Sequence, residues 1–282
     1  MNDILDPPGE RDLPAGRQER IRARVLDSVQ HPERHTARRL VLVAAVTAVA
    51  AGTVGAIRWN GDSDWGVSAM SMAMSASELS PNLRKAADQC LEWNRDQADS
   101  VQVTLDDVAV ATQREYDSAL LFLTDDGFYS CSVRKEPSME VTGGSRSDIW
   151  SAPQREWLPG PIQRLGGTSS DVDGGDVTVI GRASARVDKL LLDYGDGHTT
   201  AARLQDGAFG LISDGTPVRP DARLVSYDRD GNEIDRRPLF NRQSDYEHCY
   251  VDPAGTVVYR KDRTETTDPD PRECQPADRW DR

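Results

Sequence analysis

Leu40 to Ile57 reads LVLVAAVTAVAAGTVGAI, eighteen consecutive residues without a charge. As a helix such a run spans roughly 27 Å, near the thickness of a bilayer's hydrocarbon core. A buried core helix would sit between globular segments, and neither flank has that character. Arg34, Arg38 and Arg39 crowd the N-terminal side, with Arg20, Arg22 and Arg24 just behind, whereas Arg58 stands alone beyond the run, followed by Asp62 and Asp64. The positive-inside rule therefore places the N-terminus in the cytoplasm and residues 58–282 outside. Trp59 and Trp65 fall where an aromatic belt would meet the outer interface.

A cleaved export signal is the rival reading. Val54-Gly55-Ala56 fits a small-residue cleavage pattern, and Arg38-Arg39-Leu40-Val41-Leu42 loosely resembles a twin-arginine signal. The 39 residues ahead of the run are long and acid-rich for a signal, so an uncleaved anchor is preferred. Residues 58–282 are exported in both cases.

Charge sharpens the division. The net charge is -13. Residues 1–39 hold eight arginines and seven acids, which leaves about -14 on the remainder. An exterior part this acidic repels nucleic acid and anionic lipid, so nucleic acid is no expected partner. All four cysteines, Cys90, Cys131, Cys249 and Cys274, lie beyond the apolar run. An even count confined to the exported part is the distribution of structural disulfides. Three pairings exist; Cys90–Cys131 and Cys249–Cys274 are favoured because each falls within one apparent module. No CxxC or CxxH spacing points to zinc or dithiol redox chemistry.

In the arm, residues 1–15 read as disordered. Ile21, Val25, Leu26 and Val29 then recur at helical spacing within Gly16–Gln30, surrounded by arginines. The plain reading is a basic amphipathic stretch on the inner leaflet, and the sharper one is a docking helix for a cytoplasmic protein at residues 16–30. His31 and His35 are four apart, but Pro32 interrupts the helix between them, so no metal is expected there.

The exterior chain divides by pattern. Residues 58–77 read as a juxtamembrane spacer, in which Met70, Met72 and Met74 alternate. Thioethers in that pattern can hold Cu(I), although a strand with methionines on one face is the simpler account. Residues 78–135 form a small α+β module. Ser80-Pro81-Asn82 caps a helix to Trp93, and strands follow at Val101–Leu105, Val108–Thr112, Ala119–Thr124 and Phe128–Val133. Residues 136–163 read as a linker. Residues 164–263 carry strands at Asp176–Gly181, Val187–Tyr194, Thr199–Leu204, Ala208–Ile212, Leu224–Tyr227 and Glu233–Arg236, with a hairpin at His248–Val251 and Thr256–Tyr259. Short strands at that spacing imply an all-β sandwich of immunoglobulin-like type. The Pro/Asp-rich tail 264–282 is loose unless Cys274 staples it. The fold class expected is a single transmembrane helix, an exterior α+β module and an immunoglobulin-like sandwich module.

The run Gly181-Arg182, Val187-Asp188-Lys189-Leu190, Tyr194-Gly195-Asp196-Gly197, Asp206-Gly207-Ala208-Phe209, Tyr227-Asp228 and Asp230-Gly231 resembles the β domain of uncharacterised actinobacterial single-pass membrane-anchored proteins. Leu13-Pro14-Ala15-Gly16-Arg17 is similar to their short N-terminal arms. The resemblance covers about half the chain, mostly through turn chemistry, and implies topology without an activity.

Residues for catalysis are scarce. Asp228, Asp230 and Asn232 echo the start of an EF-hand loop, but counting from Asp228 the sixth residue is Glu233 and the twelfth Leu239, where the loop needs glycine and a bidentate acid. A β-turn accounts for them better. Asp171, Asp173 and Asp176 form another acidic cluster, with weak Ca²⁺ binding the lesser reading. Of the exported histidines, His198 lies in a turn and His248 precedes a cysteine expected to be oxidised. No Gly-x-Ser-x-Gly elbow, P-loop or dinucleotide fingerprint is present. The expectation is therefore no enzyme, no catalytic residue, no metal and no cofactor. A membrane-tethered binding or structural module of the cell envelope comes first, with the lipid bilayer and an envelope protein as partners. An anti-sigma-like transmembrane regulator comes second, and an exterior hydrolase a distant third.

Overall fold

Helix formation in the first exterior segment follows from its cap and its apolar spacing. The Leu83 N–H donates to Ser80 Oγ at 3.2 Å, Pro81 occupies the first turn, and α1 runs Pro81–Arg95. Leu83, Ala86, Ala87 and Cys90 lie on one buried stripe. That stripe packs on an antiparallel meander of β1 (Ser68–Ala73), β2 (Val108–Glu115), β3 (Asp117–Leu123), β4 (Gly127–Arg134) and β5 (Thr142–Ile149), joined in that order. The computed structural model describes residues 68–169, 175–240, 248–261 and 269–281, all within one compact unit.

The sequence expects two strands fewer in this sheet and one more elsewhere. Val101–Leu105 alternates like a strand but pairs with none. Buried Asn94 at the end of α1 takes up its backbone instead, donating to Val101 O at 2.9 Å and accepting from the Val103 N–H at 3.2 Å. β1 lies in the expected spacer, and β5 lies in the expected linker. β5 reads TGGSRSDI and is exposed or half-buried throughout, so it carries no apolar alternation to read.

Beyond it come β6 (Trp157–Leu158), β7 (Ile162–Ser169), β8 (Val177–Ala183), β9 (Lys189–Asp193), β10 (Thr199–Ala201), β11 (Arg203–Gln205), β12 (Ala208–Ile212), β13 (Arg223–Tyr227) and β14 (Glu233–Pro238). Two four-stranded antiparallel sheets result, a middle one ordered β11-β12-β8-β7 and an outer one ordered β10-β9-β13-β14. Thr199–Leu204, expected as one strand, is broken at Ala202, and its halves join different sheets.

The helix and the three larger sheets stack as four layers. Phe209, Leu211, Val179, Leu190, Leu192 and Leu224 fill the space between the middle and outer sheets. Leu121, Phe128, Leu165 and Ile180 fill the space between the first and middle sheets, where β12 lies against β2 and β7 against β3 and β4. The middle sheet is thus covered on both faces, which is why every residue of β8 and β12 is buried. Full burial of each large apolar side chain contributes about 1.5–3 kcal/mol, so these interfaces hold the layers as one body.

The tail is docked where described. β15 (Tyr250–Val251), β16 (Val257–Tyr259) and β17 (Gln275–Pro276) make a small sheet, and β18 (Asp278–Arg279) pairs with β6. Leu40–Ile57, the Gly16–Gln30 helix, His31, His35, Asp171 and Asp173 lie outside the described residues. No helix among the described residues is long and apolar enough to cross a membrane.

Candidate functional site

Four places concentrate polar chemistry in the described residues. One cleft, about 230 Å³, opens between the first and middle sheets and is lined by Ser130, Ser132, Gly144, Arg146, Leu165 and Gly166 among others. A bulge in β7 between Arg164 and Gly166 builds one wall. It turns the Leu165 carbonyl to accept from Ser130 Oγ at 3.1 Å. Gly144 has open space where a side chain would stand. Arg146 sits at the rim with its guanidinium 5.7 Å from the Phe128 ring centroid. The lining holds no carboxylate or histidine, and its one sulfur, Cys131, is bonded to Cys90. Such a cleft can seat a ligand through hydroxyls, backbone groups and one cation, without a nucleophile–base pair to transform it.

The second place is a loop end of the sandwich. His198 lies in the turn from β9 to β10, as the sequence implies, with its Nε2 2.6 Å from Asp214 Oδ2. The Tyr194 hydroxyl donates to Asp214 Oδ1 at 3.2 Å and accepts from the Asp214 N–H at 3.0 Å, and its ring lies 4.7 Å from the imidazole. Partial burial would raise the Asp214 pKa, but hydrogen bonds from the Thr216 N–H and His198 outweigh it and bring the carboxyl to about 2. The Asp214 carboxylate orients the ring as in an acid–base dyad. Among the described residues no hydroxyl or thiol is hydrogen-bonded to His198, so the arrangement supplies a base without a nucleophile.

Arg114 adds a strap beside it. Its guanidinium meets Asp176 at 2.5 Å and donates to the Ser213 carbonyl and hydroxyl, tying the β2–β3 hairpin of the first sheet to the middle sheet. Asp176, expected as part of an acidic cluster, is therefore engaged with an arginine.

The fourth place is Arg182 on β8, fully buried and with no carboxylate among its partners in the described residues. Its guanidinium lies 4.0 Å from the Trp150 ring and 4.4 Å from the Trp280 ring. It donates to Gln163 Oε1 at 2.6 and 3.0 Å, to the Gln154 carbonyl at 3.0 Å and to the Tyr259 hydroxyl at 3.0 Å. Burial lowers its pKa to about 10, against a smaller upward pull from Tyr259. A charged residue at an inward position of the apolar strand Val177–Ala183 is a signal the sequence carries and that a search for catalytic motifs passes over.

The remaining candidates are structural. Asp228 Oδ1 accepts from the Asn232 N–H at 2.8 Å and Asp228 Oδ2 from Asn232 Nδ2 at 3.1 Å, so these residues close the β13–β14 hairpin upon themselves. Met72 and Met74 pack against the core between the first and middle sheets, while Met70 is half exposed. Cys90 joins Cys131, binding α1 to β4, and Cys249 joins Cys274, binding β15 to the tail. His248 is exposed beside that second disulfide. Among the described residues no three His, Cys, Asp or Glu side chains converge as a metal site. No family model matches the chain, and no curated protein or solved structure matches it either.

Proposed function

We propose that the chain is an extracytoplasmic binding or structural module of the cell envelope, tethered to the membrane by Leu40–Ile57, with its N-terminus in the cytoplasm. The observation that carries this reading is the pair of disulfides. Both lie on the C-terminal side of the apolar run, where an oxidising compartment would form and keep them. The same eighteen uncharged residues supply the tether, and the basic flank supplies the direction. The actinobacterial membrane-anchored family it resembles has that plan.

The strand order supports an immunoglobulin-like sandwich. Counting β7 as strand A, the middle sheet becomes D-E-B-A and the outer sheet C′-C-F-G. Domains of that plan commonly present loops and edges to partners, and the cleft at Arg146 offers such a surface here. A cytoplasmic regulator is the second reading, resting on the stripe of Ile21, Val25, Leu26 and Val29.

Fractionation of the producing cell tests the proposal. The expected result is full-length protein in the membrane fraction, resistant to alkaline extraction, with its C-terminus open to protease added outside. A mature N-terminus just after Ala56 would replace the tether with a cleaved signal. Soluble cytoplasmic protein with free thiols would sink the whole reading.

A further inference from the structure

We propose that β5 is a self-association edge through which two copies of this chain join their first sheets into one continuous antiparallel sheet. β5 ends its sheet, pairing with β4 on one side only. Among the described residues no strand lies on its other side. An eight-residue edge without proline presents a row of backbone donors and acceptors, which is a template for another strand.

The side chains choose the occupant. Arg146 and Asp148 stand two apart on the face turned toward the middle sheet, Arg146 over the Phe128 ring and Asp148 opposite Phe128. A lone charge on an edge faces itself across a two-fold axis and repels, which is how such edges are protected. Two opposite charges two residues apart reverse that outcome in one register. With Ser147 opposite Ser147 of the partner subunit, Arg146 faces Asp148 of the partner subunit, and the reciprocal pair forms by symmetry. Centring the pair one residue away, on Arg146, sets arginine against arginine, so charge selects a single register.

The opposite face agrees with that register. Ile149 at the end of β5 is 63 % exposed, more than Met70 and Met139, the other exposed large hydrophobic residues among those described. In the register above, Ile149 of the partner subunit comes beside Ser145. There the neighbouring Gly143 has no side chain and the Trp93 ring lies over it, so close that a Cβ on Gly143 would come within 2.8 Å. Two exposed isoleucines would thus be covered, each next to an indole. The second copy fits both faces of the strand, and its chemistry is complementary because it is the same strand reversed.

Sedimentation of the full-length chain in detergent, over a range of protein concentration, tests this. A monomer–dimer equilibrium is expected. Arg146→Asp and Asp148→Arg should each weaken the dimer by roughly tenfold, and the double reversal should restore it. Ser147→Cys, placed on the two-fold axis, should form an intermolecular disulfide under mild oxidation, while Ser145→Cys should not. The cysteine arm needs no charge change, so it stands even where a reversal fails to fold. Dimerisation through the membrane helix would be indifferent to the charge reversals, and that indifference would overturn the proposal. A chain that stays monomeric at every concentration would leave the edge to an extended segment of another protein, and would overturn it equally.

Discussion

Replacing Arg182 separates what its charge costs from what its shape supplies. The lowering of its pKa to about 10 corresponds to about 3 kcal/mol of unfavourable burial. Against this stand two aromatic faces, each worth about 2 kcal/mol when desolvated, and four hydrogen bonds from a charged donor, about 1.5 kcal/mol each before losses to non-additivity. Arg182→Ala removes all of it, leaves the Gln163 amide oxygen without its donor and opens a cavity between two indoles. A loss of about 3–5 kcal/mol follows, comparable to breaking a buried ionic contact. Arg182→Met keeps most of the volume and relieves the buried charge, so its cost should be only about 1–2 kcal/mol. Arg182→Lys keeps the charge but loses the planar fork and the stacking, and should fall between the two. Urea unfolding followed by tryptophan fluorescence reads the ranking directly, since Trp150 and Trp280 flank the site. A methionine variant less stable than the lysine variant would refute the reasoning, because the charge itself would then be the stabilising element. An alanine variant within about 1 kcal/mol of wild type would refute the hub altogether.

Three further outcomes are expected. Gly210 faces the first sheet, where a Cβ would come within 2.7 Å of Val110 Cγ1 and 3.0 Å of Met72 Sδ, so Gly210→Ala should cost about 1–3 kcal/mol in the same unfolding assay. Replacing Cys249 and Cys274 together by serine should cost about 2–4 kcal/mol and raise the exposure of Trp280 to acrylamide quenching, because that disulfide fastens the tail carrying Trp280 to β15. Asp214, with a folded pKa of about 2 against an ordinary 3.8, binds a proton less readily folded than unfolded. Its stabilisation is therefore fully present above about pH 4 and is lost as pH falls through 2. A carboxyl-carbon NMR titration should give a midpoint near 2, and a midpoint near 4 would show that the contacts with His198 and Thr216 are not held in solution.

Several of these contacts meet at single residues that serve two layers. Trp280 stacks on Arg182 and also donates to the Gly207 carbonyl at 2.8 Å, over a turn where Gly207 has φ +69°. A Cβ there would lie 2.6 Å from the indole nitrogen, so a small residue in a left-handed turn lets the tail reach the body. The Asp206-Gly207 pair is legible in the sequence as a turn. That the turn seats a tryptophan seventy-three positions later is not, because nothing local encodes it.

What could be read from residues alone had a local physical cause. The uncharged length of Leu40–Ile57, the cap at Ser80, the turns at Asp125-Asp126-Gly127 and Asp228–Asn232, and the confinement of cysteine to one side of the apolar run all follow from chemistry within a few residues. The two central strands of the middle sheet were legible for the same reason, since Val177–Ala183 and Ala208–Ile212 are apolar enough to demand burial, whereas its edge strand Ile162–Ser169 was not among those expected. Tertiary structure decided what each strand is buried against. It placed one half of Thr199–Leu204 in each sheet, drew Val101–Val103 away from the meander through Asn94, and recruited β5, whose polar side chains leave no periodic trace. It also put His198 beside Asp214 and Arg182 between two tryptophans, contacts across separations of 16 residues and more that only packing can close. Local energetics are written in neighbouring residues, whereas a layered β fold is assembled from distant pairings, and the cleft and the free edge exist only once those pairings are made.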